Sequence, residues 1–565
     1  MLRWPTSILM TLILANAAVG ASAYTVDGVG AKGFSTIQEA IDASEAGDEI
    51  IILNGTYSEN LVIDKSLALK GEGGAVVNGS GSSSPLVTIT SDNVTLEGLT
   101  FAGCKNESFD SGAVLVLADG CRLLNSTISA STGNGLCLRD SRDHLAAGNL
   151  ICDNRYGGVS ALGANNSELS GNQIFNNGRW GISLEGCAFD MLFQNDIREN
   201  GEVGLQLVGS IYNTVAYNGI QLNAEDGMHL IDSSHTAIVE NQILDNGLNG
   251  VALDRSKINV LSKNVIQGYG EDGLLVIRFS DDNIFTGNAL SENGINGIGI
   301  YGSYFISISE NRIFDNEYNG ISLRDNSSST LISDNQIRGN KRFGFYLEDS
   351  NKNFFEGNDV YGNLHGVIMT RSSDNVMVEN EIHDNRFGLS MEFSDSASVS
   401  NNYIYNNSDD GVQLKSCDRS RVWENYVNEN GGDGVHLSGS ESLVASRNII
   451  ENNSKYGIQM LDQATNNIFM YNVIQHNGGG GMYIYEGTIN LITGNIFADN
   501  QNFNARDNGQ INNWLANFYG DYSGEAIGGG VVGIEPYAIQ GRRGATTIDL
   551  NPVVVRSWLE ERGAD

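Results

Sequence analysis

Charged residues recur at one spacing in the middle of the chain and could act on a sugar acid. Asp232, Arg255 and Arg278 follow one another at intervals of 23 residues, and His229 lies close to Asp232. Arginine neutralises carboxylates, and an Arg or His side chain can remove a proton, so this set suits chemistry on a uronate polymer. A surface ladder of alternating charges, which only relieves like-charge stacking, is the competing interpretation.

Aromatic side chains at positions predicted to face outward could stack on sugar rings. They are Tyr301, Tyr346, Phe393, Tyr483 and Tyr485. A hydrophobic filler or an assembly face is the alternative interpretation of such residues. The partner that these residues predict is a polysaccharide or a cell-surface glycan.

Metal ligands are harder to find in the sequence. The seven histidines are scattered along the chain, and no His, Cys or Met cluster has ligand spacing, which disfavours copper. The sequence assigns no cofactor, and Ca²⁺ is the candidate that it leaves open.

These residues are carried by a repeat of about 23 residues, seen clearly in "GNQIFNNGRWGISLEG" from Gly171 to Gly186. This copy has the tripeptide Asn-x-Ile and, nine residues after the Asn, a Gly before an apolar-x-apolar triplet. Successive Asn positions include Asn172, Asn195, Asn218 and Asn241, and successive Gly positions include Gly181, Gly204, Gly227 and Gly250. A period held over so many copies predicts a solenoid.

Within each copy the alternation predicts a strand with one buried face. Ile182 and Leu184 should point inward and Ser183 outward. We expect each Asn amide to donate to the Asn of the next turn, forming an internal ladder, and each Gly to adopt a corner conformation that a β-carbon would obstruct. A leucine-rich repeat shares the period, but its L-x-x-L-x-L run is absent.

The segment before the array reads "FSTIQEAIDASEAGDEIIILNGTYSENLVIDKSLALKGEG" and predicts a helix over Thr36–Ser44 that caps the first turn. This segment and the repeats after it resemble right-handed parallel β-helix proteins, namely the pectin-active enzymes and the carbohydrate-binding and sugar-hydrolysis (CASH) group that includes NosD-like proteins. The resemblance covers about residues 33 to 500 and implies an all-β, single-stranded right-handed parallel β-helix of about 20 turns with a short N-terminal helical cap.

The tail also resembles that of NosD-like proteins, through Tyr519-Gly520-Asp521-Tyr522 and Pro536-Tyr537. We therefore predict four parts: a signal peptide at 1–23, a cap with the first coils at 24–110, the repeat array at 111–500 and a C-terminal cap at 501–565. The signal peptide is indicated by Arg3, a short apolar run and the Ala21-Ser22-Ala23 cleavage pattern.

Composition narrows the class of partner. The net charge of −35 argues against nucleic acid, whose phosphates require Lys and Arg. No stretch after the signal segment is apolar for long enough to span a bilayer. The six cysteines are too sparse for a disulfide scaffold, and buried thiols are the expected state, although Cys104 with Cys121 is one conceivable pair.

Together these patterns predict an exported protein of a cell surface or envelope that binds carbohydrate or has a structural surface role. One alternative is a polysaccharide lyase or epimerase that acts on acidic glycans through the charged residues around Arg255. A second, implied by the resemblance alone, is a NosD-like accessory in metalloenzyme maturation. The sequence does not decide whether the chain is catalytic or what its oligomeric state is.

Overall fold

The computed structural model describes residues 22–79, 83–268, 270–541 and 546–563. The predicted signal peptide lies outside the described residues except for its last two positions. From Ala23 onward the chain winds as a solenoid in which each full turn contributes one strand to each of three sheets. Strands pair in parallel with those one turn before and after, as Ile182 pairs with Leu205. The predicted right-handed parallel β-helix is confirmed, with about 21 turns.

The three sheets are named in the order in which a turn visits them. Sheet 1 has 22 strands: Ala23–Val26, Glu49–Ile52, Ala68–Gly71, Thr95–Glu97, Arg122–Leu124, Leu145–Ala147, Glu168–Ser170, Met191–Phe193, Thr214–Ala216, Ala237–Val239, Val260–Ser262, Ile284–Thr286, Ser307–Ser309, Leu331–Ser333, Phe354–Glu356, Val376–Val378, Ser398–Ser400, Arg421–Trp423, Val444–Ser446, Ile468–Met470, Leu491–Thr493 and Asn513–Leu515. Sheet 2 has 21: Gly55–Tyr57, Ala75–Asn78, Thr100–Ala102, Thr127–Ser129, Leu150–Cys152, Gln173–Phe175, Asp196–Arg198, Gly219–Gln221, Gln242–Leu244, Val265–Gln267, Ala289–Ser291, Arg312–Phe314, Gln336–Arg338, Asp359–Tyr361, Glu381–His383, Tyr403–Tyr405, Tyr426–Asn428, Ile449–Glu451, Val473–Gln475, Ile496–Ala498 and Phe518–Tyr519.

Sheet 3 carries the candidate sites. Its strands are Leu61–Ile63, Val87–Ile89, Gly112–Val116, Asn134–Arg139, Val159–Leu162, Ile182–Glu185, Leu205–Val208, Met228–Ile231, Val251–Asp254, Leu274–Ile277, Ile298–Tyr301, Ile321–Arg324, Phe343–Glu348, His365–Thr370, Phe387–Glu392, Val412–Lys415, Val435–Ser438, Tyr456–Leu461, Gly480–Ile484, Ala505–Asp507, Tyr537–Gln540 and Thr546–Asp549. The last two form an antiparallel hairpin that joins the end of the sheet through Arg506 and Gln540.

The core is one apolar stack inside the three sheets. Ile182 and Leu184 point into it and are almost fully buried, as the alternation predicts. Ser183 lies between them on the strand and is also buried, although the alternation predicts it to face outward. Neighbouring outward side chains therefore cover parts of sheet 3.

A ladder of side-chain amides runs along the corner between sheets 1 and 2. Asn172 Nδ2 donates to Asn195 Oδ1 at 2.9 Å and also to the carbonyl of Ala146 at 2.8 Å. The next links join Asn195 to Asn218 and Asn218 to Asn241, each at 3.0 Å. Buried polar groups are costly unless they are hydrogen-bonded, so the ladder satisfies this corner from within.

Further asparagines form a second ladder between sheets 2 and 3, for example from Asn177 to Asn200 at 3.0 Å. A shorter run at the third corner includes Asn490, which donates to Asn512 at 3.0 Å. At the C-terminal end each run meets a carboxylate. The final donor–acceptor pairs are Asn517 with Asp549, Asn504 with Asp521, and Asn512 with Asp507.

The glycine positions are explained by crowding rather than by an unusual backbone conformation. Gly181 has no left-handed φ, but a β-carbon there would stand 2.4 Å from Ile197 Cγ2 and 2.6 Å from the carbonyl oxygen of Gly204. Gly204, Gly227 and Gly250 meet equivalent neighbours on the following turn. The glycine lets the Ile and Asn side chains of adjacent turns pack against the backbone.

Both ends of the solenoid are covered. The helix Ile37–Ala43 begins after Thr36, whose hydroxyl accepts from the Glu39 amide at 3.3 Å, and buries Ile37 and Ile41. At the other end lie the 3₁₀ helix Ile527–Gly529 and the helix Arg556–Gly563. None of the helices among the described residues has the length and apolar character needed to cross a bilayer.

All six cysteines are buried free thiols, including Cys104 and Cys121. They behave as small apolar side chains, as expected from their spacing. No disulfide therefore holds the described turns together.

Candidate functional site

The outer face of sheet 3 is the surface on which the predicted catalytic residues lie. Small outward residues such as Ser183, Ala252 and Ser322 are buried there. The charged and aromatic side chains described below lie just before the repeat glycines, on the sheet 3 strands or at the ends of those strands.

The predicted charged row forms a connected network around a further residue, Asp254. Arg255 donates to both oxygens of Asp232, at 2.8 and 3.0 Å, and to Asp254 Oδ1 at 3.0 Å. Arg278 donates to the other oxygen of Asp254 at 2.8 Å. The Asp254 side chain is 8% exposed, whereas those of Asp232 and Arg278 are 54% and 64% exposed.

Both guanidinium groups of this network are paired with a carboxylate. The hydrogen bond from Arg255 lowers the pKa of Asp232, and the same contact raises the pKa of Arg255. Two carboxylates and two guanidiniums balance within the group. An anionic sugar would therefore have to compete with Asp232 and Asp254 for the arginines.

His229 lies on the same face but is bound to a different carboxylate. Its Nδ1 is 3.2 Å from Asp226 Oδ2, three residues earlier, and the Asp226 side chain is 8% exposed. The Asp226 Oδ1 accepts from the backbone and side-chain amides of Asn249 on the next turn, both at 2.9 Å. A buried carboxylate thus orients the imidazole, as carboxylates do in acid–base sites.

One turn beyond Asn249, Asp272 is a buried carboxyl with an altered acidity. Its Oδ1 accepts two hydrogen bonds from Asn296, and its Oδ2 accepts none from the described residues. Burial raises the pKa of Asp272 to about 6. Asp272 and Tyr301 meet above Gly299, where a β-carbon would stand 2.5 Å from Asp272 Oδ2 and 2.9 Å from the tyrosine ring.

A second histidine site, nine turns further along the same face, has an additional carboxylate. His436 Nδ1 is 3.2 Å from Asp433 Oδ2 and 3.6 Å from Asp410 Oδ2. Burial opposes protonation of His436, but the contact with Asp433 and the charge of Asp410 raise its pKa above the usual value. Burial also raises the pKa of Asp410.

The predicted aromatic residues do not form one strip. Tyr301 and Tyr346 lie two turns apart on either side of Arg324, which is 5.5 Å from the Tyr346 ring. Phe393 stands alone on the surface with 54% of its area exposed. Tyr483 and Tyr485 lie together, with ring centroids 6.1 Å apart.

Tyr483 belongs to a larger cluster at the C-terminal end of sheet 3. Its ring is 5.2 Å from Tyr456 and 6.2 Å from Phe503, and the Arg506 guanidinium lies 5.7 Å from its centroid. Beside this cluster is an open hollow lined by Gln463, Tyr485, Glu486, Thr488, Asn508 and Gln510. Asn508 Nδ2 donates to Tyr483 Oη at 3.0 Å, while its Oδ1 is buried and accepts no hydrogen bond from the described residues.

Sequence reasoning missed Asp433 and the pairing of both histidines with the carboxylates before them. The signal was present as a repeated pentapeptide, "DGMHL" at 226–230 and "DGVHL" at 433–437. The Asp precedes the corner and the His lies on the strand after it, three residues later. This spacing places the imidazole against the carboxylate. The contact between Asp410 and His436 has no such local signal, because Asp410 lies on the previous turn. It depends on the register between the two turns.

Comparison with known proteins identifies the repeat. A family model described as "Right handed beta helix region" matches residues 111–257, 220–345 and 320–473. A cell surface glycoprotein of Methanothermus fervidus is 31% identical over 137 residues, which is 24% of this chain and 22% of that protein. The match therefore spans less than a quarter of the relative's length. The narrower NosD-like assignment stays a prediction.

Several solved structures are similar in part. The mannuronan C-5 epimerase AlgE4 A-module of Azotobacter vinelandii is 16% identical, with a TM-score of 0.38 over 62% of this chain and 95% of that one. The periplasmic alginate epimerase AlgG is 15% identical, with a TM-score of 0.30 over 59% and 77%. DFA-IIIase of Arthrobacter chlorophenolicus is 14% identical, with a TM-score of 0.37 over 60% and 95%.

Proposed function

Because the chain belongs to the right-handed β-helix family, we propose that it is an exported cell-surface protein that binds carbohydrate on the outside of its solenoid. Location at the surface is supported by the N-terminal export pattern in the sequence and by the likeness to a cell surface glycoprotein. The acidic surface, with a net charge of −35, keeps a long rod soluble.

The observation that carries the binding proposal is the hollow beside Tyr485. It combines an aromatic ring with amide, hydroxyl and carboxylate groups, and these are the groups that recognise a sugar by its apolar face and its hydroxyls.

The ligand class is a neutral carbohydrate. The two arginines of the central network are already paired with Asp232 and Asp254, and the hollow itself contains Glu486. A uronate polymer would bring further negative charge to these surfaces. Like charges at close range oppose binding unless a cation intervenes.

Affinity electrophoresis in gels that contain neutral or acidic polysaccharides tests this proposal. We expect retention by at least one neutral polymer and at least tenfold weaker binding for Tyr485→Ala. Phe393→Ala is the matched control, because Phe393 is an exposed aromatic residue far from the hollow. Equal binding by Tyr485→Ala and wild type, or retention by acidic polymers alone, would contradict the proposal.

A second candidate function, a lyase or epimerase, is favoured by one observation. Asp272 is a buried carboxyl whose pKa is raised to about 6, so it could exchange a proton near neutral pH, and Tyr301 lies beside it above Gly299. Incubation with uronate polymers, followed by ultraviolet absorbance for unsaturated products and by NMR for epimerised residues, tests this activity. Turnover should be lost in Asp272→Asn and Arg255→Ala, and no product from any polymer would reject it for those substrates.

A further inference from the structure

Three side chains converge on the outer side of sheet 3 with the geometry of a cation site. One ligand atom each from Asp410, Asp433 and His436 lies within 4.8 Å of the other two. His436 is 17% exposed, and the two carboxylate side chains are 7% and 2% exposed. The atoms come from two consecutive turns, so the rigid register of the sheet holds them in place.

The backbone orients both carboxylates. The amide of Asp433 donates to Asp410 Oδ1 at 2.7 Å, and the amide of Tyr456 donates to Asp433 Oδ1 at 3.0 Å. These bonds turn the two Oδ2 atoms toward His436 Nδ1. The carboxylates are therefore presented by main-chain groups and do not depend on flexible neighbours.

The cluster is incomplete without a ligand. A single Nδ1 proton can serve only one of the two Oδ2 atoms, and at 3.2 Å it serves Asp433. Asp410 Oδ2, at 3.6 Å from that nitrogen, accepts no hydrogen bond from any described residue. Asp410 is only 5% exposed, and a carboxylate with so little access to water is stabilised by a cation beside it.

We propose that Asp410 Oδ2, Asp433 Oδ2 and His436 Nδ1 bind a divalent transition-metal ion of the Zn²⁺ type. Zinc takes imidazole nitrogen and carboxylate oxygen at about 2.0–2.2 Å, which places tetrahedral ligand atoms roughly 3.4 Å apart. The two nitrogen–oxygen separations, 3.2 and 3.6 Å, lie on either side of that distance. Calcium requires six to eight oxygen ligands, and this set offers two carboxylate oxygens and a nitrogen.

The chain contains a natural comparison for this site. Asp226 and His229 repeat the Asp433–His436 pair, with the same 3.2 Å contact and the same amide bond from the next turn. The position that corresponds to Asp410 is Val203, which also precedes its repeat glycine. The two sites thus differ by one ligand, and only the Asp410 site should bind the metal.

Isothermal titration of the full chain with Zn²⁺, after treatment with a chelator, measures the binding directly. We expect one strong equivalent in wild type and at least tenfold weaker binding in both His436→Gln and Asp410→Asn. His229→Gln is the matched control and should leave the strong equivalent unchanged. Circular dichroism and thermal unfolding in chelator show that each variant is folded.

Two further measurements separate this site from the many surface carboxylates. Co²⁺ should produce visible d–d absorption in wild type that His436→Gln abolishes, and millimolar Ca²⁺ should not displace Zn²⁺. Val203→Asp should add a second strong equivalent. Zinc binding that is absent, displaced by Ca²⁺, or equally weakened by His229→Gln would overturn the proposal, as would a folded Val203→Asp with no second equivalent.

Discussion

Asp190 is a buried carboxyl in a position that asparagine occupies on other turns, including Asn213 and Asn259. Its Oδ1 accepts the amide of Ser167 at 2.8 Å, as Asn213 Oδ1 accepts the amide of Asp190 itself at 2.9 Å. Its Oδ2 is buried and accepts no hydrogen bond from the part of the chain that the structure describes. Burial raises the pKa of Asp190 to about 7.

This residue should make stability depend on pH. Because the folded pKa of about 7 lies above the ordinary 3.8, the stabilisation of the folded state is greatest below pH 4 and is lost as the pH rises to 7. Asp190→Asn should remove that loss and stabilise the protein at pH 8, by up to roughly 4 kcal/mol. Thermal unfolding of both proteins at pH 5 and 8 checks this, and an equal Tm difference at the two pH values would contradict it.

The two aspartates of the central network should contribute unequally. Asp254 lies between Arg255 and Arg278 and is almost buried, so Asp254→Ala should cost about 2 kcal/mol through two lost charge-assisted bonds. Asp232→Ala, on the exposed side of Arg255, should cost clearly less, since solvent screens that pair. Chemical unfolding of both variants at low and high salt measures the difference, and equal losses would contradict it.

At the scale of the repeat, the crowding around the glycine before each sheet 3 strand can be tested by substitution. The comparison is a glycine whose surroundings leave space for a β-carbon. Gly181→Ala should destabilise by about 2 kcal/mol, because its β-carbon meets Ile197 Cγ2 and a backbone oxygen. Gly219→Ala is the control, since a β-carbon there has no neighbour within 4 Å and the glycine has no left-handed φ. It should be neutral or slightly stabilising, as measured by Tm. An equal loss in both variants would indicate a backbone effect instead of crowding.

The same scale explains what the sequence could and could not predict. Ile182, Asn172 and Gly181 occupy positions that recur on many turns, so their periodicity alone indicates strand, corner and solenoid. The site depends on residues where the repeat varies, and their partners lie on adjacent turns. Asp254 binds two arginines, one of them 24 residues away, and Asp410 approaches His436 across the register. Contacts of this kind depend on rotamers and burial, which one sequence does not specify.

For the molecule as a whole, the stability of the C-terminal end should depend on the carboxylate that ends the first ladder. Asp549 is fully buried and accepts from the side chain of Asn517 at 3.0 Å and from the backbone amides of Asn517 and Ala516. Asp549→Ala leaves these donors unpaired. A solenoid opens from its ends, so we expect hydrogen exchange to accelerate in the last few turns and to stay unchanged near Asn172.

Asp521→Ala provides the comparison for that prediction. Asp521 ends the second ladder through Asn504 but is exposed, so water can replace its hydrogen bond. Its substitution should change hydrogen exchange much less. Uniform acceleration along the whole rod after Asp549→Ala would show that the turns open together and would contradict the expected fraying.

The amide ladders also give the rod an electrical polarity. In the ladder between sheets 1 and 2, the side-chain N–H that links each Asn to the next points toward the C-terminal end, from Asn149 to Asn517. The amide dipoles of this ladder therefore align with their positive pole at that end, in the way that peptide dipoles add along a helix. The negative charge of Asp549 sits at that pole and accepts the final donor. A carboxylate only accepts, so Asp549 ends this run of amide donors and places a full negative charge at the positive pole of the ladder.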